Sequence, residues 1–222
     1  MHRLPNYARR VEYLESTGSQ YVDTGVAPGD NLLSFDVRCV NLAPSTTLRG
    51  AFGCRASSSA YTPGSYVVFL RSTSGAEARV DVANSGAAIY TTATVGEETR
   101  FAWDAATRTL AVTVGGVTDS FIAASKGLCA DNFLLGSIST AGTPAATGAT
   151  VRIVSAKFWR SGVLVRSFVP CRVGSTGYLW DEVTGAFFGN AGTGAFVLGM
   201  DIAGGVSTPP LRGLWPMGGT RQ

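Results

Sequence analysis

The sequence predicts an all-β protein, an antiparallel sandwich of two sheets in one domain. Three observations carry this. Short apolar runs with period-2 alternation recur along most of the chain, as in Leu33, Phe35, Val37 and Cys39 against Ser34, Asp36 and Arg38. Turn-forming clusters rich in Gly, Ser, Thr and Pro separate them, and 28 of the 222 residues are glycine. No stretch shows a sustained helical period, and about a dozen strands can be placed.

The strands follow in order. Residues 1–10 read as an extended lead-in, since Pro5 disfavours a helix and Arg9-Arg10 suit a solvated edge. Val11–Glu15 is the first strand and Gln20–Thr24 the second, with Ser16–Ser19 turning between them. Asn31–Val40 is the first long strand. Thr47–Gly53 follows, then a loop of small polar residues from Arg55 to Ser65 that carries Tyr61. Tyr66–Arg71 is apolar through its centre and reads as a central strand. Glu77–Ala83, Ile89–Val95 and Thr99–Trp103 come next. Leu110–Val114 and Val117–Ile122 flank Gly115-Gly116, the two-residue connection that a primed hairpin turn needs. Asn132–Ile138 is another strand. Ala149–Arg160 is long, and a bulge near Ser155-Ala156 would switch its faces and turn Phe158 inward. Ser161-Gly162 turns into Val163–Val169. Tyr178–Trp180 and Ala186–Phe188 then form a hairpin closed at Gly185, where a positive φ is expected. The tail from Gly199 to Gln222 is rich in Pro and Gly and reads as an extended arm.

Composition narrows the function classes. The chain is 45% hydrophobic and only 15% charged, which fits a packed globular protein. There is no apolar run long enough to span a membrane as a helix. The N-terminus has basic residues with no apolar run after them, so no secretory signal peptide is expected. Net charge is +3, and apart from Arg9-Arg10 the arginines are dispersed, which argues against nucleic-acid binding. The cysteines are Cys39, Cys54, Cys129 and Cys171, and the sole histidine is His2. No pair has C-x-x-C spacing, so a Cys/His zinc site is excluded. A Cys39–Cys54 bridge is possible if their strands are neighbours, but without an export signal reduced thiols are expected.

Two ends of the chain resemble a known pattern. Val11–Val26 (VEYLESTGSQYVDTGV) looks like the start of concanavalin A-like, laminin-G-type jelly-roll modules. Ala149–Arg172 is similar to the strand pair near the end of those modules, which precedes a G-x-x-G-L-Y-D-x-x-T-G-x-F-x-x-N-x-G-T-G-x-F closing hairpin. The matching residues here are Gly177, Tyr178, Leu179, Asp181, Thr184, Gly185, Phe187, Asn190, Gly192, Thr193, Gly194 and Phe196, with Trp180 in place of the usual Tyr. The resemblance covers roughly residues 11–198, through the middle by pattern alone, and leaves the tail unmatched. It implies a jelly-roll sandwich over residues 11–198 with an arm over 199–222, in a structural component of a phage or prophage particle: tail, fibre, baseplate or head decoration. The location so implied is the virion, assembled in the bacterial cytoplasm, with other virion proteins and the chain itself as partners. The alternative is a carbohydrate-binding module that attaches to host or mucosal glycans.

Catalysis is not expected. The glutamates Glu12, Glu15, Glu77, Glu97, Glu98 and Glu182 do not open the E-x-D-x-x-E spacing of jelly-roll glucanases. Asp181-Glu182 sits in a turn, where a solvated role is expected, and His2 lies on a terminus expected to be loose. No cofactor is expected, but Ca²⁺ could be held by Asp23, Asp30, Asp131 or Asp181, against which stands ordinary turn capping. Aromatic platforms for a glycan are Tyr61, Tyr90, Trp103 and Trp180. For the two tryptophans the competing role is packing, and Tyr61 is the one expected to be exposed. On the tail, Leu211, Leu214 and Trp215 could anchor the arm on a neighbouring subunit, or the tail could be disordered.

Overall fold

The computed structural model describes residues 1–29, 32–42, 49–57, 66–70, 76–79, 88–91, 95–123, 129–146 and 148–203, with the backbone alone for 69–70, 76–79 and 88–91. Among these residues there is no helix, and the strands form two sheets.

The first sheet contains β1 (Ala8–Arg10), β2 (Leu14–Thr17), β4 (Leu33–Asn41), β9 (Glu98–Asp104), β10 (Thr109–Val114) and β11 (Val117–Ile122). From the C-terminal third it takes β15 (Thr150–Arg160), β16 (Val163–Val173), β17 (Thr176–Asp181), β18 (Ala186–Phe188) and β19 (Val197–Leu198). Its order is β11-β10-β9-β4-β15-β16-β17-β18, with β1 on β16, β2 on β15 and β19 on β2. The second sheet contains β3 (Val22–Asp23), β5 (Arg49–Arg55), β6 (Tyr66–Leu70), β7 (Ala76–Arg79) and β8 (Ala88–Thr91), with the short strands β12 (Leu134–Leu135), β13 (Ser139–Thr140) and β14 (Thr143–Pro144). The layout is the two-sheet jelly-roll sandwich expected.

The core lies between the sheets and is threaded by aromatic rings. Phe133 is central, with ring centroids 5.2 Å from Phe35, 5.8 Å from Phe52 and 5.2 Å from Phe158. Phe158, Phe168 and Phe188 continue the row edge-to-face. Tilted and edge-to-face pairs of this kind add to the gain from burial, itself about 1.5–3 kcal/mol per large apolar side chain. Strand β4 shows how the pattern produces the layer. Leu33, Phe35, Val37 and Cys39 face the core, while Ser34, Asp36 and Arg38 face outward.

Local rules explain most connections. Gly115 and Gly116 both have positive φ (55° and 81°) and close β10 onto β11 with the expected ends. Gly185 has φ of 71° at the expected turn. The bulge in β15 falls between Ile153 and Ser155, one residue before the expected place, and Phe158 is accordingly fully buried.

Four readings are corrected. Asn132–Ile138 is not one strand, because Gly136 at φ of 92° breaks it into β12 and a separate β13. The lead-in is part of the sandwich, since Ala8–Arg10 pair with Val173–Cys171 of β16. His2 is tied down: its amide donates to Glu182 O, and its carbonyl accepts from Trp180 Nε1. The first residues of the arm are held too, as Gly199 N donates to Tyr13 O and Ile202 N to Arg10 O.

Candidate functional site

The outer face of the first sheet carries a trough built from four adjacent strands. Strand β15 contributes Trp159, β4 Ser34 and Asp36, β9 Arg100 and Ala102, and β10 Thr109 and Ala111; the trough has a volume of about 440 Å³. Register sets the arrangement. Trp159 lies opposite Ser34, Asp36 opposite Ala102, and Ala102 opposite Ala111. Two methyl side chains on neighbouring strands leave a depression that larger residues would fill. The half-buried Trp159 ring stands on one side, facing outward because the β15 bulge has turned Phe158 inward.

The polar groups beside this floor are fixed. Arg100 donates from Nε and Nη2 to the same oxygen of Asp36, Oδ2, at 2.9 and 2.6 Å. The Asp36 hydrogen bond and charge hold the Arg100 guanidinium above its ordinary pKa. Both bonds fall on Oδ2, so Oδ1 of Asp36 keeps its acceptor capacity. Arg38, directly opposite Arg100, is drawn to Glu98 at 3.4 Å, which relieves the like-charge pair. Asp104, at the end of the trough, is committed to its own turn: Ala106 N donates to Oδ1 and Thr107 Oγ1 to Oδ2. The Ser34 hydroxyl accepts from Ala105 N at 2.9 Å, fixing that turn against β4. The result is a rigid apolar floor and an aromatic wall, beside one charge-assisted donor–acceptor pair.

Of the aromatic residues singled out in the sequence, only Trp103, among the described residues, borders this trough. Trp103 is 2% exposed and packs edge-to-face on Tyr66 inside the sandwich, so its ring offers no face to a sugar. Trp180 is 4% exposed, pressed against Phe187 at 4.8 Å under the N-terminal segment. Tyr90 lies on β8 opposite Glu77, with only its backbone described. Tyr61, Asp30, Leu211, Leu214 and Trp215 lie outside the described residues. Trp159 was legible in principle. A bulge that turns Phe158 inward must turn its neighbour outward.

The three candidate metal ligands among the described residues, Asp23, Asp131 and Asp181, accept hydrogen bonds from turn and loop groups. Asp23 accepts from Gly25 N and from Asn132 Nδ2. Asp131 accepts from Gly142 N at 2.7 Å and from Ser139 Oγ. Asp181 is fully buried, not solvated as expected; Oδ1 accepts from Ser167 N and Val183 N, and Oδ2 accepts from Thr184 Oγ1. Among the described residues no three His, Cys, Asp or Glu side chains gather where they could hold a metal. Cys39 and Cys54 stand in different sheets. Burial, with Glu98 nearby, pushes the Cys39 thiol up to about 12.

A second hollow of about 430 Å³ lies between residues 2–10 and Trp180, and reaches Asp201 and Ala203. Arginines and carboxylates both line it, and Asp201 is held by Arg172 through two bonds of 2.7 and 2.6 Å.

No protein-family profile matches the chain. No curated protein sequence matches it. Solved structures do resemble it. A candidate carbohydrate-binding protein from Bacteroides ovatus superposes with a TM-score of 0.55 at 8% identity, over 88% of this chain and 61% of that one. The CBM40 of a Ruminococcus gnavus IT-sialidase gives a TM-score of 0.49 at 12% identity, over 69% and 91%. A heptameric SAP-like pentraxin from Limulus polyphemus gives 0.44 at 12%, over 68% and 75%. The first of these shares the jelly-roll sandwich fold with this chain.

Proposed function

We propose that the chain is a non-enzymatic carbohydrate-binding module and that the trough beside Trp159 is its glycan site. The observation that carries this is the placement of an outward tryptophan beside the Ala102–Ala111 floor and the Asp36–Arg100 pair. A sugar ring has an apolar C–H face and a rim of hydroxyls. The face can lie against the indole, while hydroxyls accept from the guanidinium and donate to Oδ1 of Asp36. The sandwich fold shared with a candidate carbohydrate-binding protein is consistent with this reading. Both trough carboxylates are engaged, Asp36 with Arg100 and Asp104 with its own turn, so binding rather than glycosidic cleavage is the chemistry supported.

A second reading, a structural part of a phage or prophage particle, rests on the closing-hairpin resemblance. One structural observation favours it. Among the described residues β11 pairs with β10 alone, and exposed Val117 and Ile122 lie along that edge strand, which a neighbouring subunit could cover. The two readings are compatible, since a particle can carry a glycan-binding module.

The test is a glycan array with the full chain, followed by titration of the best ligand. Trp159→Ala is expected to weaken binding roughly 10- to 100-fold, the loss of one buried aromatic face. Ala102→Gln, which fills the trough, is expected to do the same, with Tm unchanged in both. A wild-type chain that binds no glycan, or a Trp159→Ala variant that binds as well as wild type, overturns the proposal.

A further inference from the structure

Strand β11 ends the first sheet, and among the described residues its only partner strand is β10. Edges of this kind are commonly blunted by lysine, proline or a bulge. Val117–Ile122 has none of the three. Asp119 is its one charge, and its register with β10 runs unbroken from Val114–Val117 to Thr109–Ile122. The hairpin fixes which backbone groups face the open edge. Residues flanking a two-residue turn exchange hydrogen bonds, and bonded and non-bonded pairs then alternate along the ladder. Val117, Asp119 and Phe121 therefore direct their amides and carbonyls at β10, and Ala123 N continues the phase by donating to Arg108 O at 2.8 Å. Thr118, Ser120 and Ile122 direct theirs at the open edge. Thr118 and Thr113, a non-bonded pair, instead meet through their hydroxyls at 2.8 Å.

We infer that this edge pairs with the same edge of a second copy of the chain, antiparallel about a two-fold axis through Ser120. Three constraints select the register. Directly opposed residues of an antiparallel pair face the same side, so a continuous two-fold sheet is centred on a residue, not between two. Centring on Asp119 would set two carboxylates directly opposite each other, which is destabilising. Centring on Phe121 would leave Thr118 opposite a residue beyond the strand. Centring on Ser120 pairs Thr118 with Ile122 of the partner subunit and Ser120 with Ser120 of the partner subunit. Every amide and carbonyl directed at the edge then has a partner, and Asp119 lies across from Phe121 of the partner subunit. Ile122, 66% exposed in the single chain, gains the Thr118 methyl as a neighbour. One short edge is a small interface, so the dimer is reversible, with a Kd of roughly micromolar or weaker.

The pairing aligns the outer faces of the two copies. Ser120 lies opposite Ala111, Ala111 opposite Ala102 and Ala102 opposite Asp36, so the row that floors the trough leads to the axis. The two troughs open on one continuous face, with their Ala102 positions about five strand spacings, or roughly 24 Å, apart. This consequence, unlike the dimer itself, rests on the glycan reading. A surface bearing repeated glycans would be held by both troughs at once, with avidity above the affinity of either.

Sedimentation equilibrium of the full chain, without glycan, tests the dimer between roughly 1 µM and 1 mM. The wild-type chain is expected to pass from monomer to dimer across this range. Ser120→Pro removes a donor that faces the open edge and no bond to β10. It is expected to weaken the dimer roughly 10-fold or more, since two hydrogen bonds across the axis are lost. The register is tested by Ser120→Cys under a mild oxidant, the four native cysteines being buried. Opposed α-carbons about 5.5 Å apart are within disulfide reach, so a covalent dimer is expected on a non-reducing gel. Asp119→Cys places the two sulfurs out of step and is expected to cross-link little. The cross-links decide the register whatever proline does to the fold. A chain that stays monomeric throughout overturns the inference. So does a dimer that a folded Ser120→Pro variant leaves intact, or one in which Asp119→Cys cross-links as readily as Ser120→Cys.

Discussion

Replacing Gly192 by Ala tests the joint between the chain's two ends. Residues 190–193 of the closing loop lie against residues 19–21 near the start. Ala191 N donates to Tyr21 O at 2.8 Å and Thr193 N to Ser19 O at 3.1 Å. Asn190 Oδ1 accepts from both Tyr21 N at 3.1 Å and Gly192 N at 2.9 Å. A Cβ on Gly192 would sit 2.0 Å from the Ser19 carbonyl oxygen and 3.0 Å from the Tyr21 ring. The loop would have to retreat until the first distance reached at least 3.0 Å. Hydrogen bonds of 2.8–3.1 Å do not survive a shift of that size. Losing the three that cross the joint, at about 0.5–1.5 kcal/mol each, costs roughly 1.5–4.5 kcal/mol. For a chain of this length that corresponds to a fall in Tm of roughly 3–18 °C. Differential scanning calorimetry measures it directly. A fall of less than about 2 °C would refute the view that this contact staples the closing loop to residues 19–21, since the loss of all three bonds should exceed that.

Two further predictions concern charged groups. Asp181→Ala removes the acceptor for Ser167 N, Val183 N and Thr184 Oγ1 and leaves Arg166, 3.6 Å away, without its carboxylate. A loss of roughly 3–5 kcal/mol is expected, read from urea unfolding as a lower midpoint at unchanged slope; a loss below 1 kcal/mol would sink the argument. At the other end of the sheet, the Arg172 hydrogen bond and charge hold the Asp201 carboxyl below its usual 3.8. A depressed folded-state pKa gives stability that is present above the unfolded value and lost as pH falls through the folded one. Protection of the Gly199 and Ile202 amides is therefore expected to differ between wild type and Arg172→Gln at pH 6 and to converge as pH falls through the depressed folded-state value. Equal exchange at pH 6 would show that the pair does not hold this segment.

What the sequence disclosed and what it hid divide along a physical line. Signals local to a few residues were legible. Gly115-Gly116 can close a two-residue hairpin because glycine adopts both positive φ values without strain, and the alternation of Leu33 through Cys39 reports one buried face. Pairings across long separations were not legible. Nothing in Ala8–Arg10 shows that it will pair with Cys171–Val173, so the lead-in reads as loose. The same limit hid the site. The bulge expected in β15 already turns Trp159 outward, but only the sheet shows that it stands across from Ala102 and Ala111 on β9 and β10. Asp181 belongs to this group too, because turn residues are usually wet and its burial depends on β16 lying beneath it.

The division also bears on how far the fold can constrain function. Along β4 the core is specified by Leu33, Phe35, Val37 and Cys39, and the outer face by Ser34, Asp36 and Arg38. Selection for stability acts chiefly on the first set, since burying an unsuitable residue there costs several kcal/mol. The second set is free to change with little effect on folding. A sandwich can therefore keep its inward parity while the outer parity is rewritten. It follows that the specificity proposed for this face cannot be carried over from a structural relative. It would have to follow from Trp159, Asp36 and Arg100 themselves, and from the two alanines whose small size makes room between them.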